Sequence, residues 1–300
     1  MTTPTSEYHR IIEDVLNTGS LEPNRTGVSA VKIAGASFTC DASLGFPAIT
    51  TKKLFFESMA VELEGFINGI TDKQWYQNRK CYIWNQWCRA DIIPPELKAD
   101  RMKKEKDAFQ LNERDLGPVY GFQWRHWNAE YNGHLADYTG MGIDQLKNAI
   151  DAMRRDPSNR RVIVMAWNPS QLDMMALPAC HTSFQLTTIG GKLNLLWSQR
   201  SCDLMLGIPF NIASYALLQH LIARDLGMPV GRLVGHLNDV HIYENHLEGA
   251  REQLSRDPER HQPPTIVTTG ESTSIFDWDH TMTKLVGYEH DPAIKMEVAI

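Results

Sequence analysis

An α+β fold in a single domain is what the 300 residues predict, and three observations carry it. Apolar residues recur at helical spacing in 6–18, 54–68, 143–155 and 211–226. Short β-branched and apolar runs lie between them, two of them flanking Gly190-Gly191 as a hairpin would. No repeat, low-complexity tract or linker divides the chain, so residues 1–300 read as one unit, with 42% hydrophobic content for its core.

Each element has its own signal. The segment 6–18 ends at Gly19, a helix stop. Residues 28–39 are rich in small and β-branched types and read as strand. The helix 54–68 is mostly apolar but carries Glu57, Glu62 and Glu64. Residues 88–113 change character, with Pro94-Pro95 followed by mixed charges, and read as a solvated insertion bearing at most a short helix. Asp156-Pro157 ends the helix at 143–155, because the residue before proline avoids the helical region. Arg161–Trp167 reads as a buried strand, and 181–188 with 192–199 as the hairpin. Asn211 is placed to cap the helix 211–226. A strand near 232–238, a helix near 241–255 and a strand at 265–268 complete the reading.

Composition excludes several classes. The formal charge is −6, with no basic patch of the kind that marks a nucleic-acid binder. No basic n-region followed by an apolar run opens the chain, and no stretch approaches the roughly 20 apolar residues of a membrane span. Five scattered cysteines without a C-x-x-C fit a reducing compartment, so a cytoplasmic location is expected. No P-loop occurs, and GMGIDQ at 140–145 lacks the third glycine of a dinucleotide fingerprint.

Four constellations carry chemistry. Cys180, in LPACH, is a buried structural thiol or a nucleophile, and the second reading needs positive charge nearby. The hairpin would put Arg200 on the facing strand, and His181 follows Cys180 directly. Arg200 with Ser201 forms an anion hook beside Asp203, since a guanidinium fork suits phosphate. Arg160-Arg161 is a second candidate hook. Asn211 carries a donor and an acceptor, which suits uracil O4 and N3–H as well as it suits a helix cap. Asp239, His241 and His246 are too few and too close in sequence to argue for a metal; a His241–Tyr243 pair on one face of an extended segment is the better reading.

Taken together, LPACHTSFQL, QRSCDLMLGIPFNIASYALL and NDVHIYENHL closely resemble thymidylate synthase. So do NRTG at 24–27, FPAITTKK at 46–53, YIWNQW at 82–87, DLGPVYG at 115–121, DPSNRR at 156–161 and the terminal VAI. The resemblance covers nearly the whole chain. It implies a large mixed β-sheet flanked by helices, and a homodimer formed through that sheet. It further implies transfer of one carbon from 5,10-methylenetetrahydrofolate, a co-substrate, to C5 of dUMP, with no metal.

Roles follow from the matching motifs. Cys180 would attack uracil C6, Asn211 would steady charge on O4, and Glu62, Tyr120 and His181 would organise proton transfer. Arg25, Arg200 and Ser201 would hold the phosphate, joined by Arg160 and Arg161 from the neighbouring subunit. His241 and Tyr243 match the residues that hold the sugar hydroxyl. Asp203, Ile83, Trp84, Trp87, Leu206, Gly207 and Phe210 match the folate pocket, Lys52 a contact to the folate glutamate tail, and Ala299 with Ile300 the closing terminus.

The chain departs from the family in places. The usual E-L-L-W-F is Glu62-Leu63-Glu64-Gly65-Phe66, the usual P-C-H is Ala179-Cys180-His181, the tyrosine before Q-R-S is Ser198, and the proline of P-V-A-I is Glu297. Pyrimidine hydroxymethylases share the fold and the first steps but let water end the reaction. Glu64 and Gly65 could admit that water, so hydroxymethylation of the same nucleotide is the alternative to methylation. A non-catalytic nucleotide- or RNA-binding relative is the second alternative, and the intact Cys180, Glu62, Asp203 and Asn211 oppose it.

Overall fold

The computed structural model describes residues 3–24 and 26–298, and the backbone alone of Asp100. Arg25, Ala299 and Ile300 lie outside the described residues. Helix α1 (Pro4–Thr18) starts with Thr3 accepting from the Ser6 N–H and Pro4 at its first position, both favourable N-terminal features. Strands β1 (Ser20–Glu22), β2 (Ala30–Ile33) and β3 (Ala36–Asp41) follow. The run read as one strand over 28–39 is thus two strands that pair with different stretches of one long partner. Helices α2 (Phe56–Ile67) and α3 (Lys73–Asn78) come next.

The charged stretch holds short 3-10 turns and helix α4 (Lys103–Asn112). It is tied inward by Lys73, whose buried ammonium donates to the carbonyls of Asn85, Trp87 and Gln110. Helices α5 (Tyr120–Arg125) and α6 (Gln145–Arg155) precede strand β4 (Ile163–Met165), shorter than the run 161–167. The hairpin forms as expected from β5 (His181–Ile189) and β6 (Lys192–Asp203). Gly190 and Gly191 both have positive φ, 60° and 74°, as a two-residue turn with left-handed central residues requires.

Helix α7 (Gly207–Leu226) begins four residues earlier than the sequence suggested. Asn211 is therefore inside the helix and is not its cap. Strand β7 (Val230–Tyr243) runs well past the expected 232–238, so 241–243 is strand, and helix α8 covers only Leu247–Leu254. Strand β8 (Thr265–Thr268) pairs with β9 (Thr283–Val286), which the sequence reading missed.

The main sheet has seven strands in the order β1-β2-β7-β6-β5-β4, with β3 also on β7. Strands β6 and β7 are parallel and the other pairs antiparallel, so the sheet is mixed and helices flank it. Helix α7 packs on it through Tyr215, whose ring stacks on Trp197 of β6 at 5.3 Å, and Gln219, whose Nε2 donates to the Leu193 carbonyl at 2.8 Å; its buried Leu217, Leu218 and Leu221 each contribute roughly 2 kcal/mol to the core by leaving water. The parallel register sets Ser201 opposite Asp239 and Asp203 opposite His241. The C-terminal ends of β6 and β7 thus carry their polar residues side by side, against the first turn of α7.

Candidate active site

Cys180 is half-buried at the end of the turn before β5, and none of the five cysteines is in a disulfide. Its backbone N–H donates to the Tyr120 hydroxyl at 2.8 Å, and its carbonyl accepts from the Arg200 backbone N–H at 2.8 Å. Arg200 wraps the same turn: Nε donates to the Ala179 carbonyl at 2.9 Å and Nη2 to Pro178 at 2.7 Å. Nη2 also lies 3.9 Å from Sγ of Cys180, so a permanent cation faces the thiol. The Gly190-Gly191 hairpin brings the two strands together, and a β-bulge between His181 and Ser183 shifts their register by one residue, so that Arg200 and not Ser201 comes to Cys180.

Behind the thiol stands an aromatic stack. The His181 ring lies parallel to Tyr120 at 4.1 Å between centroids, and its Nδ1 shares a 2.8 Å hydrogen bond with the Tyr215 hydroxyl. Burial lowers the His181 pKa to about 3, so this ring is neutral at physiological pH. Phe66 packs over both rings, 4.9 Å from Tyr120 and 6.2 Å from His181. Glu62 is one helical turn before Phe66 on α2 and therefore on the same face. Burial pushes its carboxyl up to about 7, opposed in part by the Trp84 indole. That indole N–H falls short of full hydrogen-bonding geometry and has no other partner among the described residues. It is the kind of buried donor that a bound ligand or water satisfies.

The orientation of Asn211 is fixed by a chain of amides. Trp197 Nε1, which can only donate, gives to Gln199 Oε1 at 3.3 Å. Gln199 Nε2 then donates to the Ser201 carbonyl and to Asn211 Oδ1, both at 3.0 Å. With its oxygen turned to Gln199, Asn211 presents its NH2 as a donor.

Asp203 Oδ1 accepts from the N–H groups of Met205 and Leu206, both at 3.1 Å, and so shapes the turn into α7. Leu206, Gly207 and Phe210 follow on that first turn, all partly exposed. Lys52 is buried with its ammonium on the Met205 carbonyl, and desolvation lowers its pKa to about 8 against the pull of Asp203. Trp84 and Trp87 meet edge to face at 6.4 Å, with half-buried Ile83 just before them.

His241 Nδ1 is 3.0 Å from Asp239 Oδ1, and Lys32 holds the other Asp239 oxygen at 3.2 Å. This leaves Nε2 of His241 for a ligand. The His241 and Tyr243 rings are 5.2 Å apart. His246 turns instead to the Glu297 carbonyl at 2.6 Å. Among the described residues no group of three or more side chains could hold a metal.

Arg160 and Arg161 are exposed and stand apart. The Leu186 N–H bonds to the Val162 carbonyl, so Arg161 lies level with Thr187. That is about 20 Å along β5 from Cys180, beyond an arginine's reach. Arg25 and Ala299 lie outside the described residues.

Neither of two cavities, ≈380 Å³ beside Asp72 and His126 and ≈490 Å³ beside Tyr131 and Gln171, includes any residue named from the motifs. The chemistry gathers where the strand ends meet, which the alternation of donors and acceptors identifies better than concavity does.

Sequence reasoning missed Gln199 and Tyr215. Tyr215 is four residues after Asn211 on α7, hence on its face, and Gln199 directly precedes Arg200 on β6; both spacings were legible once α7 and β6 were drawn. It also assigned Glu64 and Gly65 to the site wall. Glu64 faces away, its Oε2 2.6 Å from His280 Nδ1 and its Oε1 3.8 Å from Arg79 Nε. Gly65 is covered by the Tyr76 ring.

The family model described as thymidylate synthase matches residues 6–300. The chain is 37% identical to the thymidylate synthase of Listeria monocytogenes serotype 4a (strain HCC23), over 98% of this chain and 99% of that one. It is 38% identical to the bifunctional dihydrofolate reductase-thymidylate synthase of Leishmania major and 37% identical to that of Paramecium tetraurelia. In both cases 98% of this chain is covered, but it spans only 55% and 61% of those longer proteins. On a family match over nearly the whole length and on these relatives, the chain belongs to the thymidylate synthase family.

Proposed function

We propose that the protein methylates C5 of dUMP, with 5,10-methylenetetrahydrofolate as one-carbon donor and reductant, releasing thymidylate and dihydrofolate. The observation that carries this is Arg200 Nη2 at 3.9 Å from a half-buried Cys180 Sγ, with the Tyr120 hydroxyl on the same turn. A nucleotide-binding module needs no thiol set against a guanidinium.

In this reading the thiolate of Cys180 adds to uracil C6, and C5 becomes the nucleophile that captures the donor's carbon. Asn211, its amide held by Gln199, donates to O4 as negative charge gathers there and accepts from N3–H. Glu62, with a carboxyl that titrates near neutrality, relays protons through water, while Tyr120 and neutral His181 order the waters that remove the C5 proton. Arg200, Ser201 and Arg25 take the phosphate, and His241 with Tyr243 the sugar hydroxyl.

The donor's pterin fits between Asp203, whose Oδ2 has no hydrogen bond among the described residues, and the wall of Ile83, Trp84 and Trp87. Leu206, Gly207 and Phe210 would line its other side and Lys52 would stand toward the glutamate end; the closing role that the resemblance gives Ala299 and Ile300 falls outside the described residues. Glu64 turned to His280 and Gly65 filled by Tyr76 favour methylation over hydroxymethylation, since neither opens a water path beside Glu62.

The working unit in this proposal is a cytoplasmic homodimer. Arg160 and Arg161, about 20 Å from their own Cys180, would serve the neighbouring subunit's phosphate. The whole chain would form one catalytic domain carrying the charged insertion at about 88–113, and one buried core cluster that includes Tyr8, Ile150, Leu218 and Trp278 supports this. Among the described residues no helix is long and apolar enough to cross a membrane. Incubation with 5-fluoro-dUMP and the folate tests the reading: a covalent adduct on Cys180 by mass spectrometry is expected, and its absence with both ligands bound would sink it.

A further inference from the structure

Gly65 replaces the bulky tryptophan usual in E-L-L-W-F, three residues after Glu62 on α2. Residues i, i+3 and i+4 of a helix share a face, so Glu62, Gly65 and Phe66 form one stripe. A Cβ built on Gly65 would lie 2.3 Å from both Cε1 and the hydroxyl oxygen of Tyr76. No side chain can therefore occupy position 65 while Tyr76 stays where it is.

Tyr76 comes from a different element, α3, and is fully buried. Its hydroxyl donates to the Ile70 carbonyl at 3.1 Å, and its ring meets Trp75 edge to face at 5.1 Å. Burial first, then the charge of Glu62, pushes its phenol far above the ordinary range. Phe66 continues the wall to Trp84 at 6.5 Å. Glu62 is thus backed by aromatic rings from α2, from α3 and from the loop carrying Trp84.

We infer that Tyr76 supplies from α3 the aromatic bulk that α2 lacks at Gly65, and that this ring, by sealing the space beside Glu62, favours hydride over water at the end of the reaction. The inference rests on the reaction proposed above. Once tetrahydrofolate has left C5, the nucleotide bears an exocyclic methylene and is still joined through C6 to Cys180 Sγ. Hydride from tetrahydrofolate can add to that methylene; the double bond then shifts to C5–C6, the C6–S bond breaks and the thiolate leaves. The folate, losing a hydride and a proton, becomes dihydrofolate. Water can add instead; its oxygen bonds to the methylene, a proton passes to solvent, the same C6–S bond breaks, and tetrahydrofolate remains reduced. Tyr76 acts through the room it denies to water and is a positioning residue.

The test is product analysis on the intact protein with dUMP and 5,10-methylenetetrahydrofolate, alongside dUMP binding measured by calorimetry. Tyr76→Ala should divert on the order of a tenth or more of the product to 5-hydroxymethyl-dUMP, with dUMP affinity changed less than about threefold. Tyr76→Phe, which keeps the ring and loses only the bond to Ile70, should hold the wild-type product ratio. The swap Gly65→Trp with Tyr76→Leu, which returns the bulk to α2, should restore thymidylate. If Tyr76→Ala does not fold, Tyr76→Leu alone is read in its place. Thymidylate as the sole product of the small-residue variants would overturn the role of Tyr76 while leaving the reaction intact. The 5-hydroxymethyl nucleotide from wild-type protein would instead overturn the reaction proposed above.

Discussion

The Cys180 backbone N–H and the Tyr120 hydroxyl are joined at 2.8 Å, which couples the position of the thiol to a ring that also stacks on His181. The nucleophile, the proton network and the α2 wall are therefore packed directly against one another. Cys180→Ser should leave dUMP binding largely unchanged and abolish turnover, a loss on the order of a thousandfold or more, because an alcohol is far less ionised than a thiol. Steady-state rates within about tenfold of wild type would remove Cys180 from its assigned role.

Glu62 should make stability pH-dependent in an unusual direction. Its carboxyl titrates near 7 when folded, against an ordinary value near 4.5. Folding therefore favours the protonated form, so the cost of burying the charge is absent below the unfolded pKa, grows between 4.5 and 7, and is fully present above 7. Glu62→Gln should thus stabilise the protein at pH 8.5 by up to about 3 kcal/mol, with most of that gain gone by about pH 5. Urea denaturation at the two pH values reads this, and an equal effect at both would contradict it. The same variant should lose most turnover, since a carboxamide cannot relay protons.

Base choice should follow the amide chain. With Gln199 donating to its oxygen, Asn211 offers uracil a donor for O4. Asn211→Asp should weaken discrimination against dCMP, because a protonated carboxyl can donate to cytosine N3 and accept from its amino group. Competition kinetics with dUMP and dCMP measure it. An unchanged preference would assign Asn211 a packing role only.

Sharing of the site between subunits is testable by mixing inactive proteins. Arg160→Ala and Cys180→Ser should each be inactive or impaired alone. Mixed and allowed to exchange subunits, they should regain activity, because one of the two hybrid sites receives both intact parts. No recovery after exchange, verified by native mass spectrometry of differently tagged chains, would place Arg160 outside the partner's site and count against a shared site.

Much of this was legible in the sequence because it depends on local pattern. Gly190-Gly191 marked the hairpin that sets Arg200 on the strand facing Cys180, but the turn's own register would bring Ser201 there; a β-bulge between His181 and Ser183, which no local pattern showed, shifts it by one residue. The helical spacing of α1, α2 and α6 survived intact, since their apolar stripes match the helix period. The start of α7 did not, because Asn211 looks like a cap while the true first turn is shaped by Asp203 from the preceding strand. The helix expected near 241–255 begins only at Leu247; residues 241–243 are strand, as the extended His241–Tyr243 pair required, and they are held there by pairing with β2. Glu64 looked like a site residue because it adjoins Glu62 in sequence, and only its pairing with His280, 216 residues away, turns it from the site; Gly65 does lie on the Glu62 face, but Tyr76, 11 residues on, fills the space there.

The most direct measurement is the product balance of wild-type protein given dUMP and 5,10-methylenetetrahydrofolate, followed by dihydrofolate absorbance with chromatography of the nucleotide. Thymidylate and dihydrofolate appearing in equal amounts is the predicted result. 5-Hydroxymethyl-dUMP with tetrahydrofolate left unoxidised, or no turnover at all, would contradict it.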